Sequence, residues 1–210
     1  CEDISEGQEV VLACLNQGTL LAVNYYKRYD GCIPYVRERL QSGAVGAIRT
    51  VTAWYSGPLD AVGSHMIDLL RFILGDLRVQ TVTSLDRERY AAVLMSKKDV
   101  LVVINRAGPR EDFIFEVDIL GSKGRIRILD NCTHAEFYRY QKSPQYTGYK
   151  ELFQEPARSY VTHNRFLPLF MEVADRLDAG VQSALLSDGV NALETQYVLE
   201  EINVQLEKQL

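Results

Sequence analysis

No run of apolar residues in this 210-residue chain is long enough to span a bilayer, because Asn, Gly or Lys interrupts each uncharged stretch within a few positions. No secretory signal pattern opens it, so a cytoplasmic protein without a membrane partner is expected. Positive charge is in the minority. The 23 Lys and Arg stand against 28 Asp and Glu, a net charge of −5, and neither nucleic acid nor an anionic membrane would be drawn to such a surface. The four cysteines (Cys1, Cys14, Cys32, Cys132) form no CxxC pair and no Cys/His cluster at zinc spacing, which predicts reduced thiols and no metal site. Absent too are GxGxxG between a strand and a helix, a Walker A loop, a GxSxG elbow and HExxH. The first residue is Cys, not Met, and we expect the chain to begin inside a longer protein.

With 47% hydrophobic and 24% charged residues, the chain has the composition of an ordinary globular domain with a sizeable core. SEGQEVVLACLNQG carries a capping-box spacing at Ser5 and Gln8 and a left-handed stop at Gly18, predicting a helix. TLLAVNYYKRYD reads as a strand, PYVRERLQSG as a short helix and IRTVTAWYSG as a strand. MIDLLRFILGD is a helix ending at Gly75. From Val79 the apolar period changes to two, and VQTVTSLD, YAAVLMSKK, DVLVVINRAG, DFIFEVDIL, GRIRIL and AEFYRYQK are six successive strands. In the fourth, Phe113, Phe115, Val117 and Ile119 are expected on one face. Two helices close the chain, the last with a stripe of Thr195, Val198, Leu199, Ile202 and Leu206. The fold class is α+β: a large, mostly antiparallel, open-faced sheet with helices packed on one face.

AVGSHMIDLL places one of only three histidines, His65, at the mouth of an apolar helix. Taken alone, such a histidine is more often a packed or capping side chain than a catalytic one. An imidazole nevertheless exchanges protons near neutrality, and a helix N-terminus favours its neutral, base-competent form. Asp68, three residues on, lies on the same helical side and either orients the ring or caps backbone amides.

Five segments in order carry a resemblance. CEDISEGQEV, VNYYKRYD, LQSGAVGAIRTV, GSHMIDLLRFILGD and ILGSKGRIRI resemble, respectively, the Cys-Glu-Lys-Pro stretch, the strand ending in Arg-Arg-Phe, the Ser-Gly-x-x-Gly-x-Ile link, the Gly-Ser-His-x-x-Asp helix and the Gly-x-x-Gly hairpin of the glucose–fructose oxidoreductase/inositol dehydrogenase (Gfo/Idh/MocA) family. The likeness is to the C-terminal domain of those enzymes and spans nearly the whole chain. It implies that residues 1–20 are the end of a preceding Rossmann domain and 21–210 the substrate and dimerisation domain.

The family implies NAD or NADP in the full-length protein, with none expected on this chain alone, and a sugar-like small-molecule substrate. The wording around GSHMIDLL resembles members of surface-polysaccharide pathways. A homodimer through the sheet is implied as well. His65 takes the position of the family's proton acceptor. Lys27 and Arg28 match its Arg-Arg pair and are candidates for a substrate carboxylate or phosphate. Asp60, Asp68 and His163 are further substrate-side candidates, and Tyr25, Tyr26, Tyr29, Trp54 and Asn164 are possible wall residues. Glu2 and Asp3 fall at the cofactor-facing Glu-Lys-Pro stretch. Two departures stand out: Asp3 replaces the lysine, and Ala61 replaces the aspartate expected four residues before the histidine, with Asp60 one position off. They motivate an alternative, a non-catalytic member that binds carbohydrate or self-associates.

Overall fold

The computed structural model describes residues 3–86, 88–156, 158–160, 164–180 and 185–209. The first helix, α1 (Ile4–Gln17), ends at Gly18 in the left-handed conformation, φ +63°. Its cap is Asp3, not Ser5: the Asp3 carboxylate accepts from the Ser5 amide at 2.6 Å and from the Ser5 hydroxyl at 2.9 Å. Helix α2 is Ile33–Gln41, and α3 is Ser64–Leu74. Helices α4 (Leu167–Asp178) and α5 (Gly189–Glu207) follow the sheet.

The strands are β1 (Ile48–Tyr55), β2 (Leu77–Ser84), β3 (Tyr90–Ser96), β4 (Leu101–Arg106), β5 (Phe115–Gly121), β6 (Gly124–Leu129), β7 (His134–Lys142), β8 (Lys150–Gln154) and β9 (Arg158–Ser159). They form a single sheet in the order β2-β3-β4-β1-β5-β6-β7-β8, with β9 also paired to β7. β1 is inserted at the centre, parallel to β4 and antiparallel to β5; the other pairs are antiparallel. The α+β architecture read from the sequence is therefore the one found.

Alternation decides the faces. Val51, Ala53 and Tyr55 of β1, Val102 and Ile104 of β4, and Val117 and Ile119 of β5 are buried, and join Met66, Leu69 and Leu70 of α3 and Val198, Leu199 and Ile202 of α5 in one core. On the other face Trp54, Glu116, Asp118, Arg125 and Arg127 stay half-buried. There Arg125 pairs with Asp118 across β5–β6 and Arg127 with Glu136 across β6–β7.

Two further sequence readings are corrected, and two strands were not read at all. TLLAVNYYKRYD is not a strand. Its peptide groups bond the loop before α5 instead: the Val23 amide donates to the Ser187 carbonyl at 3.0 Å and Ala22 bridges Asp188, before a 3₁₀ turn at Tyr26–Arg28. Phe113 does not share the face of Phe115, because the chain there turns through φ +48° and leaves the ring exposed. The two polar edge strands β8 and β9 carry too little hydrophobic alternation to be read from sequence.

A buried ion pair ties the layers together. The Arg28 Nη2 and Nε donate to Asp68 Oδ1 and Oδ2 at 2.6 and 2.8 Å, with side chains 3% and 0% exposed. Arg28 also donates to the Leu186 carbonyl and stacks over Phe72. Thr195 of α5 reaches Asp68 at 3.4 Å and accepts from Arg71 at 2.9 Å. Burial pushes the Asp68 carboxyl up against the downward pull of Arg28. Removing one partner strands the other charge in the core. Arg28→Met should lower stability by about 3–5 kcal/mol, while Arg28→Met with Asp68→Leu should be less destabilised than the sum of the singles. Urea unfolding of the four proteins checks this; additive losses would show that the pair is uncoupled.

Candidate functional site

At the end of the sheet where β1 leaves and β5 enters, a cleft of about 460 Å³ opens. His65 and Lys27 lie in its wall with Tyr26, Ala61, Arg110, Phe113, Asn131 and Arg165. His65 is carried by α3, but not at a bare helix end. The preceding residues, Leu59–Gly63, already form a π-helical turn, closed by the Gly63 amide donating to the Pro58 carbonyl at 3.1 Å. Turns of this type recur where a helix has to re-aim a side chain. Here Ala61, Val62 and His65 all reach one cleft.

The imidazole is held edge-on by Tyr25 and Tyr26, with ring centroids 5.5 and 5.3 Å away. Its Nδ1 is buried without a hydrogen-bond partner among the described residues. Burial, and secondly the Lys27 ammonium, push the His65 pKa down to about 4. The ring is thus neutral at pH 7, as expected, but desolvation and a nearby cation cause it rather than a helix terminus.

Lys27 sits under the cleft, 2% exposed. Its ammonium donates to the Asn131 carbonyl at 3.3 Å and to the Asn131 side-chain oxygen, and lies 5.0 and 4.8 Å from the centroids of Tyr26 and Phe115. Burial pushes its pKa down. Asn131 reaches it from a strained corner, since Asp130, Asn131 and Cys132 have φ of +50°, +55° and +70°. Such a run is costly for residues with a Cβ and persists only where its surroundings impose it. The corner is docked onto Gly31, whose absent Cβ would stand 1.9 Å from the Cys132 carbonyl oxygen; the Cys32 amide donates to that oxygen at 2.9 Å.

The other candidates disperse. Arg28 and Asp68 neutralise each other in the core and do not line the cleft, so neither offers its charge to a substrate there. Asp60 is exposed and outside the cleft wall, where Ala61 stands instead. Asp3 caps α1 beside a different groove, formed by α1, Leu21 and α5. Tyr29 donates to Glu172, Trp54 lies on the half-buried sheet face, and Asn164 caps the start of α4 by accepting from the Leu167 amide at 3.3 Å. Glu2 and His163 fall outside the described residues. Arg110, Arg165 and Asn131 were not singled out from the sequence. Only Asn131 left a trace, as an Asp-Asn pair after a strand, residues that tolerate left-handed backbone.

Since an unfolded histidine titrates near 6.5 and His65 near 4, the unfolded chain binds the extra proton between those values. The His65 contribution to stability is present above about pH 6.5 and is lost as pH falls toward 4, amounting to ~3 kcal/mol at most. A carboxylate restored on the cleft wall by Ala61→Asp should lift the His65 midpoint by about 1 to 3 in pH. Imidazole proton NMR across a pH series reads both; a wild-type midpoint near 6.5 would refute the buried, cation-facing placement.

No family model and no curated protein sequence matches this chain. Solved structures do match, through the fold. An oxidoreductase from Agrobacterium radiobacter, in complex with NAD+, L-tartaric acid and magnesium, superposes with a TM-score of 0.77 at 18% identity, covering 100% of this chain and 69% of that one. UDP-N-acetylglucosamine 3-dehydrogenase from Acidithiobacillus ferrooxidans does so with a TM-score of 0.76 at 15% identity, over 97% of this chain and 67% of that one. The super-repressor mutant of Gal80p from Saccharomyces cerevisiae gives 0.78 at 10% identity, with 97% and 67% covered. The chain therefore has the fold of about two thirds of these proteins, the fold expected for a Gfo/Idh/MocA-type C-terminal domain.

Proposed function

We propose that this chain is the substrate-binding domain of an NAD(P)-dependent oxidoreductase, in which His65 takes the proton from a hydroxyl of a sugar-like substrate held in the cleft. The observation that carries this is the His65 ring itself. It is neutral, clamped between two tyrosines, bonded to no described residue and set in a cleft of ligand size. The similar Agrobacterium oxidoreductase, in complex with L-tartaric acid, and the similar UDP-N-acetylglucosamine 3-dehydrogenase support a polyhydroxylated substrate.

The junction from β1 into the following helix does not fit a dinucleotide. A pyrophosphate site needs a strand running through several glycines into a helix N-terminus. The junction from β1 into the helix at Leu59 offers only Gly57, and the side left open by its missing Cβ is filled by Val62 at 2.9 Å. Only the proton side of the reaction is therefore assigned to these residues.

A second reading, a binding module without catalysis, is favoured by the base strength. A pKa near 4 makes a weak base, and no carboxylate among the described residues lines the cleft to raise it. One comparison separates the two. In the protein as encoded in full, His65→Asn should lower kcat by about 10²–10⁴ with substrate affinity retained. Unchanged turnover would remove His65 from the mechanism, and no nicotinamide-linked turnover in the unmodified protein would establish the binding module.

The same reading extends to association: the half-buried sheet face bearing Trp54 and the Asp118–Arg125 pair is proposed to meet a second copy. Light scattering at micromolar concentration should give twice the chain mass, and a monomer there would refute the dimer.

A further inference from the structure

The cleft beside His65 holds an unbalanced charge. Among the described residues three cations line it, Lys27, Arg110 and Arg165, and no carboxylate does. The counter-charge in contact is Asp30, fully buried, whose Oδ2 is 3.5 Å from Arg165 Nε; both its carboxylate oxygens lack a hydrogen bond among the described residues. Arg110, on the short turn Arg110–Asp112, is exposed, and its guanidinium makes no hydrogen bond or ion pair with the described residues, although Glu111 and Asp112 are its neighbours in sequence. Lys27 spends two of its three donors on Asn131. In a chain of net charge −5, a cavity with three cations facing one carboxylate is not a reflection of overall composition.

We propose that this cleft selects a substrate bearing an anionic oxyacid group, a carboxylate or a phosphate, gripped by Arg110 and Arg165 with the Lys27 ammonium beneath. The proposal rests on the cleft being the substrate site and adds the chemical class of its ligand. A guanidinium presents paired N–H donors that match two oxygens of one acid group, and an aromatic wall suits the apolar faces of a sugar ring. Tyr26 and Phe166, 4.9 Å apart between centroids, provide that wall on the Arg165 side, with Phe113 also lining the cleft. The left-handed turn that pushes Phe113 out of its strand follows directly on the turn carrying Arg110, so both side chains arrive at the cleft from one short loop. A bound anion would also offset the cation that depresses His65, linking recognition of the acid group to the strength of the base.

Calorimetric titration of the 210-residue chain with D-glucuronate, D-glucose 1-phosphate and D-glucose tests this. At least one of the two acids should bind saturably, at least tenfold more tightly than glucose, and the preferred acid distinguishes carboxylate from phosphate. Arg110→Gln, at an exposed position whose side chain bonds no described residue, should weaken that acid about tenfold and leave glucose unaffected. Arg165→Gln should do the same, with its thermal melting curve recorded because Asp30 loses its partner. Equal binding of glucose and both acids, no saturable binding of either acid up to about 10 mM, or undiminished acid binding by Arg110→Gln would each overturn the proposal. His65→Asn should leave acid binding in place. Acid binding that depends on Arg110, together with turnover indifferent to His65, would defeat the catalytic reading and keep this one; the reverse pattern would do the opposite.

Discussion

The pairing of Arg28 with Asp68 is the contact on which the rest of the site depends. It joins the 3₁₀ turn at Tyr26–Arg28 to the middle of α3, and through Thr195 and Arg71 it reaches α5. Ion pairs this deep add little net stability, because desolvation consumes most of their attraction. Their value lies in geometry, since a bidentate fork accepts few alternatives. On a turn with three residues per revolution, neighbouring side chains diverge by about 120°. Fixing Arg28 inward on Asp68 therefore leaves Lys27 to face the other way, under the cleft.

His65 and Lys27 then form a matched pair of perturbed groups. Each loses hydration, and burial disfavours the charged form of both. The lysine donates to Asn131, whose strained corner is held by the close approach of Gly31 and Cys132. The histidine Nδ1 has no such partner among the described residues, and the ring stays neutral. A neutral imidazole beside a fixed ammonium can receive a proton or donate a hydrogen bond, but it receives weakly unless negative charge enters the cleft. Ala61 is central to that balance, since a carboxylate there would supply from the protein what is here left to the ligand.

Much of the fold was legible because strands and helices write their burial in periods of two and 3.6. The six strands from β2 to β7, the stop at Gly75 and the stripe on α5 all follow from local alternation. The segment 19–30 was misread for the same reason: Leu20, Leu21 and Val23 look like a strand, yet Leu21 and Val23 bond Gly189 and Ser187, some 165 positions away at the start of α5. Phe113 looked like one more inward residue until the left-handed turn displaced it. Of the candidate site, His65 was visible as a scarce residue in an odd place. The charges that surround it were not, since Arg110 and Arg165 sit in unremarkable loops.

The sequence by itself determined an α+β chain with an amphipathic sheet, no strand–glycine–helix phosphate motif, and a histidine on an apolar helix next to an alanine-lined turn. Those are properties of composition and spacing, which local physics fixes. Only the tertiary structure decided which charges are spent and which are free. Arg28 and Lys27 are adjacent and chemically alike, yet one is locked to Asp68 in the core while the other lies beneath the cleft. Likewise Asp60 and Ala61 differ by one position, and the π-helical turn brings the alanine to the wall. The fates of Arg28 and Lys27 depend on contacts made across forty or more residues, and a side chain's charge has no function until packing has chosen its neighbours.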